Sequence, residues 1–222
     1  MSTVSGNYYG GIVRQGLLLL LDSAKRDSYV GYGTEWADIS RNQYNATLIN
    51  GPTFNSANGG SIVFDGTNDL VTIGTIAGSF AFTAGQAVTI SGWLYSTATT
   101  VLYRNFVDTL STYPMIWWNS AGQIEFDTAS GYTTVSVYRN QWVYVSLVKP
   151  SGTSVASYYV NGSFVSNGGV SYSVPASIPT WFNRAAGQTW IGNCANISVY
   201  NRALTSAEIL QNYNALKHRF GL

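Results

Sequence analysis

The sequence predicts a single all-β domain, an antiparallel sandwich or jelly roll closed by one C-terminal α-helix. Three observations carry this. Apolar and polar residues alternate with period two through most of the chain. Short runs of this kind are separated by clusters of Gly, Asn, Ser and Asp, with no helical pattern between them. Only the last stretch, 204–222, switches to helical spacing.

Taken in order, strands are expected at 17–22, 45–50, 60–65 and 69–74. The last two flank a polar knot, Asp65-Gly66-Thr67-Asn68-Asp69, whose residues tolerate tight turns, so GSIVFDGTNDLVTI (60–73) reads as a hairpin. The same knot offers oxygen ligands for Ca²⁺, but that ion takes about six to eight oxygens and no second acidic cluster is adjacent in sequence. VTISGWLYS (88–96) sets Val88, Ile90 and Leu94 against Thr89, Ser91, Trp93 and Tyr95. Strands follow at 100–106, 113–119, 122–128 and 133–138. WVYVSLVK (142–149) sets Val143, Val145 and Leu147 against Trp142, Tyr144 and Ser146. In SVASYYVNGSFVS (154–166), Asn161-Gly162 between β-prone flanks is a strong hairpin signal, and strands at 187–192 and 194–200 complete the set. In LTSAEILQNYNALKHRFGL (204–222), Thr205 and Glu208 form a capping box. Ile209, Leu210, Tyr213 and Leu216 make the docking stripe, Lys217, His218 and Arg219 suit the dipole of the last turn, and Gly221 stops the helix.

Composition narrows function. Of 222 residues 45% are hydrophobic and 14% aromatic, enough for a large core, while only 9% are charged. The surface is therefore built from Ser, Thr, Asn, Gln, Gly and Tyr, which suits a secreted, cell-wall or virion protein. The net charge of +1 and the scattered basic residues argue against a nucleic-acid partner. A lone Cys194 rules out an internal disulfide and reads as a small buried hydrophobe. The leucines 17–21 are too few to span a membrane, and MSTVSGNYYGGIVRQ does not read as a secretory leader.

Catalytic constellations are sparse. Glu125 and Asp127 share one face of a strand, as the carboxyl pair of a glycosidase must. The E-x-D-x-x-E pattern of jelly-roll glucanases fails here at Ser130, and a solvated strand face is the plainer expectation. The single histidine, His218, lies in the last helical turn, and glycine-loop phosphate sites and His/Cys metal sets are missing. No catalytic residue, metal or cofactor is assigned. The candidate glycan or interface contacts are the aromatics Tyr113, Trp117, Trp118 and Trp181. Tyr8 and Tyr9, between glycines in residues 1–15, mark an N-terminal docking segment or strand lead-in ahead of the domain at 16–222.

Three stretches also carry a resemblance: 16–73, which includes LINGPTFNSANGGSIVFDGTND; QWVYVSLVKPSGTSVASYYVNG (141–162); and 190–222, which includes VYNRALTSAEILQNYNALKHRFG. Through them the chain resembles the laminin-G-like, concanavalin A-like lectin/glucanase domains of virion structural proteins of tailed phages, marine ones especially. The resemblance implies a jelly roll of two antiparallel sheets, no catalysis, and a place on the virion surface after synthesis in the host cytoplasm. It implies a capsid decoration or other particle-surface subunit, homo-oligomeric on the particle, with capsid or tail proteins as partners and adhesion to the host surface as an added role. A lectin-like module of a tail or head fibre that binds a host-surface glycan is the alternative, and a glycan hydrolase the remote one.

Overall fold

The computed structural model describes residues 11–73, 86–98, 104–108, 114–119, 121–128, 131–169, 180–182 and 189–222. The candidates Tyr8, Tyr9 and Tyr113 lie outside the described residues.

The strands are β1 (Leu17–Asp22), β2 (Glu35–Trp36), β3 (Ala46–Ile49), β4 (Thr53–Asn55), β5 (Ser61–Asp65), β6 (Leu70–Ile73), β7 (Val88–Ser96), β8 (Arg104–Asp108), β9 (Pro114–Trp118), β10 (Gln123–Thr128), β11 (Gly131–Val137), β12 (Trp142–Lys149), β13 (Val155–Val160), β14 (Ser163–Gly169), β15 (Thr180–Trp181) and β16 (Ile191–Tyr200). Two antiparallel sheets result. The first runs β14-β13-β12-β7-β16-β5-β4, with β1 also beside β16; the second runs β11-β10-β9-β8-β15-β6-β3-β2. β16 is long enough to pair β5 through Ile191–Cys194 and β1 through Asn196–Tyr200 on one edge. The expected break near 193 is thus a register shift between Cys194 and Asn196 inside one strand.

The main core fills the space between the sheets. Val88, Ile90 and Leu94 of β7 and Val143, Val145 and Leu147 of β12 enter it, as the alternation predicts. Phe64 stacks on Phe182 at 4.3 Å and Phe126 on Tyr158 at 4.4 Å. The opposite face of β7 and β12 is buried too. Trp93 and Tyr144 join Ile12, Val13, Ile209 and Leu216 in a second core under the C-terminal helix α1 (Ser206–Leu216). The buried stripe of α1 is Ile209, Asn212 and Leu216, with Tyr213 half-buried; Leu210 is 45% exposed, one position off the stripe and over Gly162. Asn212 takes the centre because it has partners there: its Oδ1 accepts from Val13 N at 2.8 Å and its Nδ2 donates to Tyr200 Oη at 3.0 Å.

Two local signals hold. Asn161 and Gly162 both have positive φ (50° and 78°) in the tight turn joining β13 and β14. Thr205 Oγ1 accepts from Glu208 N while Glu208 Oε2 accepts from Thr205 N at 2.9 Å, closing the capping box. Glu208 is further gripped by Arg202 through bonds of 2.6 and 2.8 Å, and this pairing lowers its carboxyl from 4.5 to about 2. A carboxyl depressed by folding stabilises the fold above its unfolded value and loses that contribution as it protonates. The share due to Glu208 is therefore expected to be full above pH 4.5 and to fade as pH falls to about 2. Asp69, raised by burial, works in the opposite sense. Melting curves between pH 6 and 2 check this: Glu208→Gln should show a smaller acid-induced drop than wild type, and parallel drops would refute the assignment.

One element departs from expectation. The 60–73 segment is not a hairpin, because β5 lies in the first sheet and β6 in the second. The polar knot is a corner between them, and side chains take over the backbone bonding that a hairpin ladder would supply. Asp69 Oδ2 accepts from Asp65 N at 2.9 Å, Asp65 Oδ1 from Thr67 N at 2.7 Å, and Thr189 Oγ1 donates to Thr67 O at 3.1 Å. Alternation tells which face is buried but not which sheet a strand joins.

Candidate functional site

The helix covers the outer face of the first sheet; among the described residues no helix covers that of the second. On this face Trp117 of β9, Glu125 of β10 and Thr134 of β11 lie side by side, since Glu125 pairs Trp117 on one edge and Thr134 on the other. Ile116 and Trp118, and Ile124 and Phe126, take the alternate positions and enter the core.

Glu125 is buried, at 4% exposure, so the expected solvated face is corrected. Its cost of burial is met by donors. Trp117 Nε1 donates to Oε2 at 2.6 Å, Asn119 Nδ2 donates to Oε1 at 2.6 Å, and Thr134 Oγ1 reaches Oε1 at 3.5 Å. Asn119 is itself fixed: its Oδ1 accepts from Ala121 N and Gln123 N, and its Nδ2 also donates to Gln123 Oε1. The carboxylate is thereby a clamp that sets the Trp117 ring. Both of its oxygens are engaged, which leaves it badly placed to act as acid or nucleophile. Asp127 is described in its backbone alone.

Upon this clamp stands Tyr132 of β11. Its ring meets Trp117 edge to face, with centroids 6.0 Å apart, and it is 57% exposed. A rigidly braced aromatic with one side in water is a stacking platform. Tyr132 was missed in the sequence, although the alternation of GYTTVSV and its position opposite Asp127 in the ladder mark an outward residue. Of the predicted contacts, Trp117 lies in this site but is only 4% exposed, so its place is as the support under Tyr132 and not as a contact surface. Trp118 and Trp181 lie outside it, and they are corrected: both are fully buried between the sheets, Trp118 against Trp190 at 4.9 Å and Trp181 against Phe106 at 5.5 Å. Adjacent strand positions face opposite ways, so at most one of Trp117 and Trp118 could reach solvent.

Cys194 is fully buried in β16, where burial pushes its thiol well up, in keeping with an inert packing role. Among the described residues no group of three or more His, Cys, Asp or Glu side chains is placed to hold a metal ion. No helix among them is long and apolar enough to cross a membrane.

No curated protein matches the sequence. Among solved structures, the binding domain of Paraclostridial Mosquitocidal Protein 1 superposes with a TM-score of 0.68 at 15% identity, over 90% of this chain and 52% of that one. The botulinum neurotoxin serotype D ligand binding domain, solved in complex with N-acetylneuraminic acid, gives 0.68 at 12% identity over 91% and 51%. Domain 4 of an extracellular arabinanase from Geobacillus stearothermophilus, solved with arabinotriose, gives 0.65 at 12% over 90% and 100%. The chain thus spans about half the length of the toxin binding domains and the whole of the arabinanase domain. At these identities the likeness is one of fold. The sequence itself matches the concanavalin A-like lectin/glucanases superfamily, as a laminin-G-type domain, over residues 65–210. By that match and by its two-sheet sandwich, the chain belongs to the concanavalin A-like lectin/glucanases superfamily.

Proposed function

We propose that this protein is a non-catalytic carbohydrate-binding module that works on the surface of a viral particle. The observation that carries the binding reading is the platform of Tyr132 braced on Trp117 and clamped by Glu125 and Asn119, on a sheet face that no helix among the described residues covers. Stacking on such a ring favours neutral sugar faces, and the poor charge of the surface asks for little ion desolvation on contact. The solved complexes of similar folds with arabinotriose and with N-acetylneuraminic acid support a glycan as ligand class. Placement on a virion is supported by the resemblance of residues 16–73, 141–162 and 190–222 to tailed-phage structural proteins, with capsid or tail proteins as partners and assembly into homo-oligomers there.

The test is a glycan microarray that includes arabinotriose and other neutral oligosaccharides. Tyr132→Ala is expected to weaken the strongest signal about tenfold or more, the equivalent of about 1.4 kcal/mol. Unchanged binding by Tyr132→Ala would remove the platform. Hydrolysis of a bound glycan that Glu125→Gln abolishes would overturn the non-catalytic reading. For placement, antibodies to the protein should label intact phage particles whose genome encodes it; unlabelled particles would refute that part.

A further inference from the structure

A second site lies on the other side of the molecule, where the loop after β2 meets the segment entering β1. Arg14, Gln15, Leu17, Ser40, Arg41 and Asn42 line a cleft of about 350 Å³ there. That is the lower part of the range of small-molecule sites, about 300–1,000 Å³, and fits one or two sugar rings. Only Leu17 among the lining residues is apolar.

The loop that carries Arg41 is built rather than loose. Asp38, 6% exposed, accepts four bonds: Leu20 N and Ser40 N on Oδ1, at 2.8 Å each, and Ser40 Oγ and Tyr44 N on Oδ2, at 2.7 and 2.9 Å. Asn42 Nδ2 ties the loop to β1 through Leu18 O at 2.8 Å. Between them Gln43 is held at φ 58°, a left-handed conformation that a residue other than glycine keeps only when its surroundings impose it. Arg41 rises from this frame, exposed, and makes no hydrogen bond or ion pair with any described residue. The wall behind Gln15 is fixed by Arg202 Nε, which donates to Gln15 O at 2.8 Å while Glu208 takes up the Arg202 charge. Asp38 is the one carboxylate of the 38–44 loop, and it is committed to its four donors.

Two guanidinium-bearing residues thus flank a small cleft in a protein with only 11 Lys and Arg. A guanidinium fork matches a planar carboxylate with two parallel bonds, and the amide of Gln15 and the Oδ1 of Asn42 suit sugar hydroxyls, while Ser40 Oγ and Asn42 Nδ2 are spent on building the loop. We infer that the Arg14–Arg41 cleft binds a saccharide bearing a carboxylate, at a site distinct from the Tyr132 face. The saccharide class rests on the carbohydrate-binding reading above; the site itself rests on the cleft.

Calorimetric titration of the full chain with 3′-sialyllactose, with lactose as its neutral counterpart and with sodium sulfate, tests this. The expected result is saturable binding of 3′-sialyllactose, at least tenfold tighter than lactose or sulfate. Arg41→Gln should weaken it tenfold or more, and Arg41→Lys should fail to restore it because the fork is lost. Tyr132→Ala should leave it unchanged. Arg41 is exposed and touches no described partner, so both variants should melt as wild type. Absence of 3′-sialyllactose binding, or binding indifferent to Arg41→Gln, would overturn the inference. So would sulfate bound as tightly, since the cleft would then read charge alone. Loss of binding on Tyr132→Ala with none on Arg41→Gln would move the acidic sugar to the outer face, sinking this site and sparing the platform.

Discussion

Deletion of residues 205–222 is expected to leave a chain that no longer folds cooperatively, seen as a missing thermal transition and aggregation on expression. The segment is the lid of a second core. Ile209 and Leu216 are buried beneath it, and Tyr213 and Phe220 lie on Trp93 with centroids 5.6 and 4.3 Å away. Phe220 also packs on Trp142 at 4.6 Å. Removing the lid bares Trp93 and Tyr144 and takes from Val13 N its acceptor on Asn212.

Past the helix, a short 3₁₀ turn (Lys217–Phe220) delivers Arg219 to Asp22 of β1. The pair is 2.9 Å apart with side chains 10% and 5% exposed, and Arg219 also donates to Asn58 O and Gly60 O. Losing one member of a buried pair costs about 3–5 kcal/mol, because the other charge is left without compensation. Each fully buried aliphatic side chain adds about 1.5–3 kcal/mol. Together these come to about 6–11 kcal/mol, against a whole-domain margin of about 5–15. Arg219→Ala alone should lower the melting temperature by on the order of 10 °C. A soluble 1–204 protein with unchanged melting would show the lid to be a dispensable tail.

Much of this lid was readable in advance. Thr205 and Glu208 announce the capping box locally, and the predicted stripe of Ile209, Leu210, Tyr213 and Leu216 is right at Ile209 and Leu216, half-buried at Tyr213 and wrong at Leu210. The burial of Asn212 was not readable, because its partners Val13 and Tyr200 are 199 and 12 residues away. The same division holds for the sheets. Val143, Val145 and Leu147 separate cleanly from Trp142 and Tyr144, but nothing in β12 itself says that a helix will cover the second set. At the candidate site, the pairing of Glu125 with Trp117 and Asn119 depends on strand register, which one strand's pattern cannot supply. Trp118 and Trp181 fail as contacts on parity and sheet position, since both point between the sheets. Arg14 and Arg41, 27 positions apart, line one cleft, and the bond from Leu20 N to Asp38 that helps hold the Arg41 loop there spans 18 positions.

Gly192→Ala is expected to be the most damaging single methyl in the described protein. Gly192 sits at φ 132°, outside the regions open to residues with a Cβ. It lies in β16 between Phe64 of β5 and Ser96 of β7, at the centre of the first sheet. An added Cβ would overlap the Tyr95 carbonyl oxygen and come within 3.0 Å of Ser96 Cα. Both obstacles are backbone, so no side-chain rotation can clear them, and β7 would have to leave its ladder. Backbone strain costs about 1–3 kcal/mol and overpacking about as much again, and rigid obstacles put the sum near the top, at about 4 kcal/mol or more. Gly152→Ala supplies the control. Its φ is also positive, at 68°, but nothing lies within 4 Å of the new methyl, so only the conformational cost of about 1–2 kcal/mol remains. Thermal melts of the two variants should therefore separate by several degrees, Gly192→Ala the lower. If they melt within a degree or two of one another, β7 yields at Tyr95 without cost, and the close approach at Gly192 is not a requirement of the fold.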